Sequence, residues 1–140
     1  MVDTPISIGE LLDKLTILRI KQQHISDPNK IRNINTEYNI LNARYSTIDI
    51  KQDVEHHIRM LTESLHAINK IIWDVEDEIR SHESRKEFNN RFIELARSVY
   101  YNNDERARIK REINKLLDSK IIEEKSYADY TQANSNGVNL

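Results

Sequence analysis

Residues 54–79 read VEHHIRMLTESLHAINKIIWDVEDEI, and this stretch decides the fold class. Its apolar residues follow one another at alternating spacings of four and three, with neither glycine nor proline between them. This apolar seam consists of Val54, Ile58, Leu61, Leu65, Ile68, Ile72, Val75 and Ile79. A heptad seam of this length is buried only when the segment is a long helix lying against other helices. The sequence therefore predicts an all-α protein whose longest helix runs from about Lys51 to about Ser84.

Length and composition restrict the class of protein. The chain has 140 residues, a length typical of one domain. It has no cysteine, which excludes disulfides, thiolate nucleophiles and cysteine-ligated zinc. The net charge of −2 gives no overall attraction to nucleic acid or to anionic membranes. No apolar run approaches the ~20 residues of a membrane span, and residues 1–5 do not resemble a signal peptide. These features predict a cytoplasmic protein.

Capping residues mark two helices before the seam. Ser7 and Glu10 have the spacing of a capping box, so a first helix is expected to begin at Ser7. Asp27 suits the N-cap of a second helix and Pro28 its first position, which places the end of the first helix just before them. An apolar stripe from 31 to 48 again has alternating spacings of three and four. Two amphipathic helices therefore precede the central one.

Two shorter helices are predicted after the seam. The polar stretch 82–87 is the expected bend. A fourth helix has its apolar stripe between 88 and 99. The sequence Asn102-Asn103-Asp104 predicts a break, because asparagine and aspartate favour caps and turns. Asp104 is then expected to cap a fifth helix with an apolar stripe from 109 to 117.

The predicted architecture is an elongated antiparallel helical bundle of about five helices, built around a helical hairpin of helices two and three. At 1.5 Å per residue, the third helix is on the order of 50 Å long, whereas a compact domain of this size has a radius of gyration of about 14 Å. The molecule is therefore elongated, or a dimer covers part of the seam. Residues 1–130 are expected to form one domain, and residues 131–140 a disordered polar tail.

The first candidate site lies at the acidic end of the third helix. Trp73, Glu76 and Arg80 share one helix face with Asn69, Asp77 lies beside them, and Glu76 can pair with Arg80 one turn away. One interpretation is a packed tryptophan with flanking ion pairs. The other is an acidic pocket with an aromatic wall, which would hold a cation or a sugar.

The second candidate site surrounds the predicted break between helices four and five. A helix N-terminus near Asp104, with several arginines close to it, is able to hold a phosphate or a carboxylate. The alternatives are a capped turn and a solvated basic face. The candidate ligand-binding residues of this region are Arg97, Tyr100, Asn103, Asp104, Arg106, Lys110 and Arg111.

Recognised catalytic and metal-binding patterns are missing from the sequence. The five histidines have no metal-ligand spacing, and there is no serine elbow, P-loop or dinucleotide fingerprint. The carboxylate pairs Glu10/Asp13 and Asp74/Asp77 have the three-residue spacing of magnesium-dependent helical pyrophosphohydrolases, but Glu10 already has a capping role and one pair is Asp-Asp. The sequence predicts no catalytic residue, no metal and no cofactor. It leaves open whether any catalysis occurs.

Three stretches together resemble a known family. They are residues 6–18, residues 72–80, and residues 92–100 continuing through 103–114. In combination they are similar to a family of small all-helical proteins from bacteria and phages whose function is unknown. The similarity covers nearly the whole chain except the tail. The resemblance implies one folded domain, adds no catalytic residue, and places some members near surface-polysaccharide genes.

Three functions follow from these patterns. The leading hypothesis is a non-enzymatic binding or assembly module that forms a homodimer or binds a partner protein. The rival is a binding protein or enzyme for an anionic sugar or nucleotide, with its site where the 73–80 segment meets the 97–114 hairpin. Weak nucleic-acid binding through the 105–120 helix is the third, and the least favoured because its basic residues are interspersed with acidic ones. The rival requires Trp73, Glu76, Arg97 and Arg106 to converge on one concave surface.

Overall fold

Four α-helices account for most of the computed structural model, which describes residues 1–131. They are α1 (Ile8–His24), α2 (Pro28–Tyr45), α3 (Gln52–Arg85) and α4 (Asn90–Leu116). Residues 1–131 contain no strand, so the all-α prediction is confirmed. Within that range no helix has the length and apolar character needed to cross a membrane. The predicted polar tail, apart from its first residue, lies outside the described residues.

The helix starts follow the predicted capping residues. The Ser7 hydroxyl accepts a hydrogen bond from the Glu10 backbone N–H at 3.0 Å, so Ser7 is the N-cap of α1. Glu10 does not complete the capping box, because its carboxylate instead bonds to Lys110 of α4. The Asp27 carboxylate caps α2, with Pro28 in the first turn. The predicted start of each of these helices is confirmed.

The seam of α3 is covered by other helices of the same chain. Ile58, Leu61 and Leu65 are buried, and the remaining seam residues are partly buried. The buried core cluster joins residues of α1, α3 and α4: Leu11, Leu12, Leu15, Ile58, Leu61, Leu65, Ile109 and Ile113. With 34 residues, α3 is about 51 Å long at 1.5 Å per residue. It ends at the predicted bend, where Lys86 adopts a left-handed conformation with φ of 56°.

The predicted hairpin of helices two and three is wrong. The most extensive packing is between α3 and α4, and α1 packs on α2, α3 and α4. Among the described helices, α2 packs closely only on α1. The reason is that α1 has buried residues on more than one face, including Leu11, Leu12 and Ile20, whereas Ile34 is the buried residue of α2. The apolar faces of α1 therefore place it at the centre of the bundle.

The predicted break at Asn102-Asn103-Asp104 is also wrong, so the described helices number four and not about five. The Asn102 side-chain amide donates to the Ser98 carbonyl one turn earlier, and Asp104 accepts a hydrogen bond from Tyr130. Neither side chain caps a new helix. Asn89 is the N-cap of the whole of α4. Packing of one continuous helix against α1 and α3 outweighs the weak local preference for a turn.

After α4 the chain runs back along the same helix as a strap, which we define as residues 119–131. Glu124 pairs with Arg111, and Tyr130 bonds to Asp104 nearer the N-terminus of α4. Ile121 and Ile122, at the start of the strap, are exposed and non-helical.

Candidate functional site

A buried polar network lies between α1, α3 and α4. The Asn69 amide nitrogen donates to the Asp13 carboxylate and to the Thr16 hydroxyl, both at 2.8 Å. Its amide oxygen accepts from the Arg106 guanidinium at 3.3 Å. Asp13, Thr16 and Asn69 are each at most 5% exposed. Because every Asn69 bond is to a different side chain, the amide is held in one orientation, and it holds Arg106 in turn.

Lys110 is the cation at the centre of this region. Its side chain is 11% exposed, and its ammonium bonds to Glu10 while lying 3.9 Å from Asp13 and 3.3 Å from Glu123. Burial alone lowers the pKa of the Lys110 ammonium. The hydrogen bond to Glu10 and the charges of the three carboxylates outweigh burial, so its pKa lies above the ordinary value. Lys110 therefore carries a charge that these carboxylates already neutralise.

The N-terminus of α1 approaches α4 closely through Gly9. The Gly9 backbone N–H donates to the buried Asn114 side-chain oxygen at 2.6 Å. A Cβ placed at position 9 would lie 2.6 Å from the Lys110 carbonyl oxygen. The absence of a side chain is thus what lets α1 reach the α4 backbone. This contact fixes Glu10 and Asp13 relative to Lys110.

The strap is attached to the bundle by side chains. Glu123 accepts a hydrogen bond from the Ser7 hydroxyl at 3.0 Å. Burial raises the pKa of the Glu123 carboxyl. The hydrogen bond from Ser7 and the charge of Lys110 together lower the pKa by more than burial raises it, so it lies below the ordinary value. Tyr130 donates to Asp104 at 2.7 Å, and this bond, together with burial, raises the pKa of the Tyr130 phenol to about 12.

The strap and α4 line a partly open cavity of about 510 Å³, which we call the tyrosine cavity. Its α4 wall contains Tyr100, Asn103, Asp104, Arg106 and Lys110, and its strap wall contains Lys125, Tyr127 and Tyr130. The Tyr100 and Tyr130 rings meet edge to face, with centroids 5.4 Å apart. The cavity thus combines aromatic rings with three basic side chains and the Asp104 carboxylate.

A second cavity, of about 320 Å³, lies where α1, α3 and α4 meet, and we call it the tryptophan cavity. Its walls are Ile17 and Ile20 of α1, Asn69, Ile72, Trp73, Glu76, Asp77 and Arg80 of α3, and Arg106 of α4. Trp73 is partly buried, and its ring lies 5.6 Å from the His24 ring. Glu76 pairs with Arg80 as expected.

Arg106 lines both cavities. Its guanidinium donates to Asn69, and no carboxylate of residues 1–131 forms an ion pair with it. The other basic residues of this part of α4 are paired: Arg108 with Glu105 and Glu112, Lys110 with Glu10, Asp13 and Glu123, and Arg111 with Glu124. Arg106 is therefore a partly buried cation whose charge is not matched by a neighbouring carboxylate.

Apart from Arg97, the sequence-predicted site residues fall into three places. Trp73, Glu76, Asp77 and Arg80 meet Arg106 at the tryptophan cavity, and Tyr100, Asn103, Asp104, Arg106 and Lys110 meet at the tyrosine cavity. Arg111 faces the strap and pairs with Glu124. Arg97 lines neither cavity. Its guanidinium lies 5.9 Å from the centre of the Tyr101 ring, so the predicted convergence includes Trp73, Glu76 and Arg106 without Arg97.

Three of the four carboxylates considered for magnesium lie against lysine side chains, and Asp77 is the exception among residues 1–131. Glu10 and Asp13 face Lys110, and Asp74 pairs with Lys70. Among residues 1–131 no group of three or more histidine, aspartate or glutamate side chains is placed to hold a metal ion.

Sequence reasoning missed the residues that position Arg106 and enclose the cavities. Asp13 and Thr16 are polar residues within the apolar run of α1, which is a signal of buried hydrogen bonding that was available. Asn69 was placed on the right helix face, but its partners are 37 to 56 residues away in the sequence. Lys125 and Tyr130 carry no local pattern that marks them as cavity walls.

The chain matches the model of a protein family to which no function is assigned. A family model described as "Family of unknown function (DUF6165)" matches residues 2–139. No curated protein and no solved structure matches the chain significantly.

Proposed function

We propose that this chain, which belongs to the DUF6165 family of unknown function, binds a small anionic ligand at Arg106. No function is assigned to this family, so the proposal rests on the side chains around the two cavities. The observation that carries it is the position of Arg106: its guanidinium lies between two cavities, is oriented by Asn69, and lacks a carboxylate partner among residues 1–131.

The chemistry of the guanidinium supports an anion. Arginine presents several N–H donors in a planar fork that matches a phosphate or a carboxylate. One of the Arg106 donors is used by Asn69, which leaves others for a ligand. Lys125, on the strap side of the tyrosine cavity, also lacks a carboxylate partner within 4 Å in residues 1–131 and adds positive charge. A cation that is already paired, such as Lys110, would gain much less from an added anion.

The proposal predicts binding that depends on Arg106. Inorganic phosphate, glucuronate and uridine monophosphate are titrated into the full chain by isothermal calorimetry. At least one is expected to bind, and Arg106→Gln is expected to weaken that binding by at least about tenfold, because a charge-assisted hydrogen bond contributes about 1.5–3 kcal/mol.

The matched control is Arg59→Gln, which removes the same charge from an exposed residue of α3 whose one ion pair within residues 1–131 is with Glu55. It is expected to leave the affinity unchanged. If none of the three anions binds, or if both variants weaken binding equally, the site is not at Arg106. Circular dichroism of each variant establishes that the helices are retained.

Assembly through helical surfaces is the second candidate function. It is supported by two exposed apolar side chains near the α3–α4 turn, Phe88 at 54% and Ile93 at 52% exposure. If a second copy covers this end, light scattering gives a mass above that of one chain, and Ile93→Asp returns it to that of one chain. Met60→Asp, at an equally exposed apolar residue of α3, is expected to leave the mass unchanged. A single-chain mass at all concentrations contradicts this candidate.

A further inference from the structure

We infer that the ligand is a nucleotide-activated sugar, with its base in the tyrosine cavity, its phosphates at Arg106 and its sugar in the tryptophan cavity. This inference rests on the proposed function and names the ligand class of the same site. It follows from the different chemistry of the two cavities that share Arg106.

The shared arginine places the anionic group in the middle of the ligand. One cavity lies between α4 and the strap, and the other lies among α1, α3 and α4, and Arg106 is a wall of both. An anion held by Arg106 can therefore carry a substituent into each cavity. A diphosphate with a group on both sides has this form, whereas a simple phosphate or carboxylate would fill neither cavity.

The tyrosine cavity suits a flat heteroaromatic ring. Tyr100, Tyr127 and Tyr130 supply aromatic rings, and base–aromatic stacking contributes substantially to nucleotide binding without requiring one particular base. Lys125 adds a positive charge at the same wall. The volume of about 510 Å³ falls within the range of small-molecule sites.

The tryptophan cavity suits a neutral ring that carries hydroxyl groups. Trp73 provides an apolar face, and the Glu76 and Asp77 carboxylates are hydrogen-bond acceptors at the rim. The Asp77 carboxylate has no hydrogen bond or ion pair with any residue of the described range. Because Glu76 is paired with Arg80, Asp77 is the carboxylate of this cavity that can accept hydrogen bonds from sugar hydroxyls, and its charge disfavours a second anion beside it. The smaller volume, about 320 Å³, fits the smaller part of the ligand.

The test compares sugar nucleotides with the same diphosphates lacking the sugar. UDP-glucose with UDP, and GDP-mannose with GDP, are titrated into the full chain by calorimetry. At least one sugar nucleotide is expected to bind at least about tenfold more tightly than its diphosphate. The only tryptophan of the chain is Trp73, so its fluorescence is expected to change with the sugar nucleotide and not with the diphosphate.

The variants separate a sugar contact from a general effect of charge. Asp77→Asn is expected to remove most of the advantage of the sugar nucleotide while leaving diphosphate affinity within about twofold. Asp74→Asn is the control, because Asp74 is exposed on the same helix, pairs with Lys70 and does not line the cavity. Equal effects of the two variants would overturn the sugar assignment.

Other results overturn the inference in distinguishable ways. If the diphosphates bind through Arg106 but neither sugar nucleotide binds more tightly, the anion site stands and the sugar class is wrong. If UDP-glucosamine binds more tightly than UDP while the neutral sugar nucleotides do not, the carboxylates bind an ammonium group instead of hydroxyls. If no diphosphate, no sugar nucleotide and none of the three simpler anions binds, both this inference and the proposed function are wrong.

Discussion

Gly9→Ala is expected to lower the free energy of unfolding by about 2 kcal/mol, although alanine is the better helix former. The added Cβ would lie 2.6 Å from the Lys110 carbonyl oxygen and 2.9 Å from the Asn114 side-chain oxygen. Since the nearest atom is backbone, α1 itself has to move, and overpacking of this kind costs about 1–3 kcal/mol. Movement of α1 also weakens the bond from Gly9 to the buried Asn114. These losses exceed the gain of up to about 1 kcal/mol in helix propensity.

Urea denaturation measures this effect, with Ala96→Gly as the control. Ala96 is exposed on α4, so its replacement reports the propensity difference alone, a loss of about 0.5–1 kcal/mol. Helix propensity by itself raises the stability of Gly9→Ala and lowers that of Ala96→Gly. If Gly9→Ala is as stable as the unsubstituted chain or more stable, the close approach of α1 to α4 is incorrect.

Lys110→Met is expected to lower the free energy of unfolding by about 3 kcal/mol, the lower part of the range for breaking a buried ion pair. The substitution removes the cation shared by Glu10, Asp13 and Glu123. Asp13 is 5% exposed and cannot regain full hydration, and the three carboxylates would then repel one another. The strap is also expected to loosen, because Glu123 keeps only its bond to Ser7.

Lys70→Met is the control, since Lys70 pairs with Asp74 on the exposed surface of α3. An exposed pair of this kind contributes about 0.3–0.5 kcal/mol. Adding Asp13→Asn to Lys110→Met is expected to restore part of the lost stability, because the amide removes one buried negative charge and keeps an oxygen for Asn69. Equal losses for Lys110→Met and Lys70→Met would mean that Lys110 is solvated.

The candidate site was predictable in part. Trp73, Glu76 and Arg80 share one face of a regular helix, so their proximity follows from the sequence. That Arg106 joins them depends on the pairing of α3 with α4 and on Asn69, which is 37 residues away from it. Arg97 precedes the predicted break in the sequence, but it lines neither cavity, and its guanidinium lies against the Tyr101 ring. The false break at Asn102-Asn103-Asp104 arose because local turn preferences are weaker than the packing of a continuous α4.

The amino-acid sequence by itself determined the all-α class, the long α3, the capped starts of α1 and α2, and the bend near residues 82–87. Each depends on helical periodicity or on a cap, which are interactions between residues at most a few positions apart. Only the tertiary structure decided that α1 is central, that Gly9 contacts Asn114 across 105 residues, and that Arg106 lies between two cavities. Those arrangements depend on which apolar faces pack together and on which buried polar groups find partners, and neither is specified by spacing along one helix.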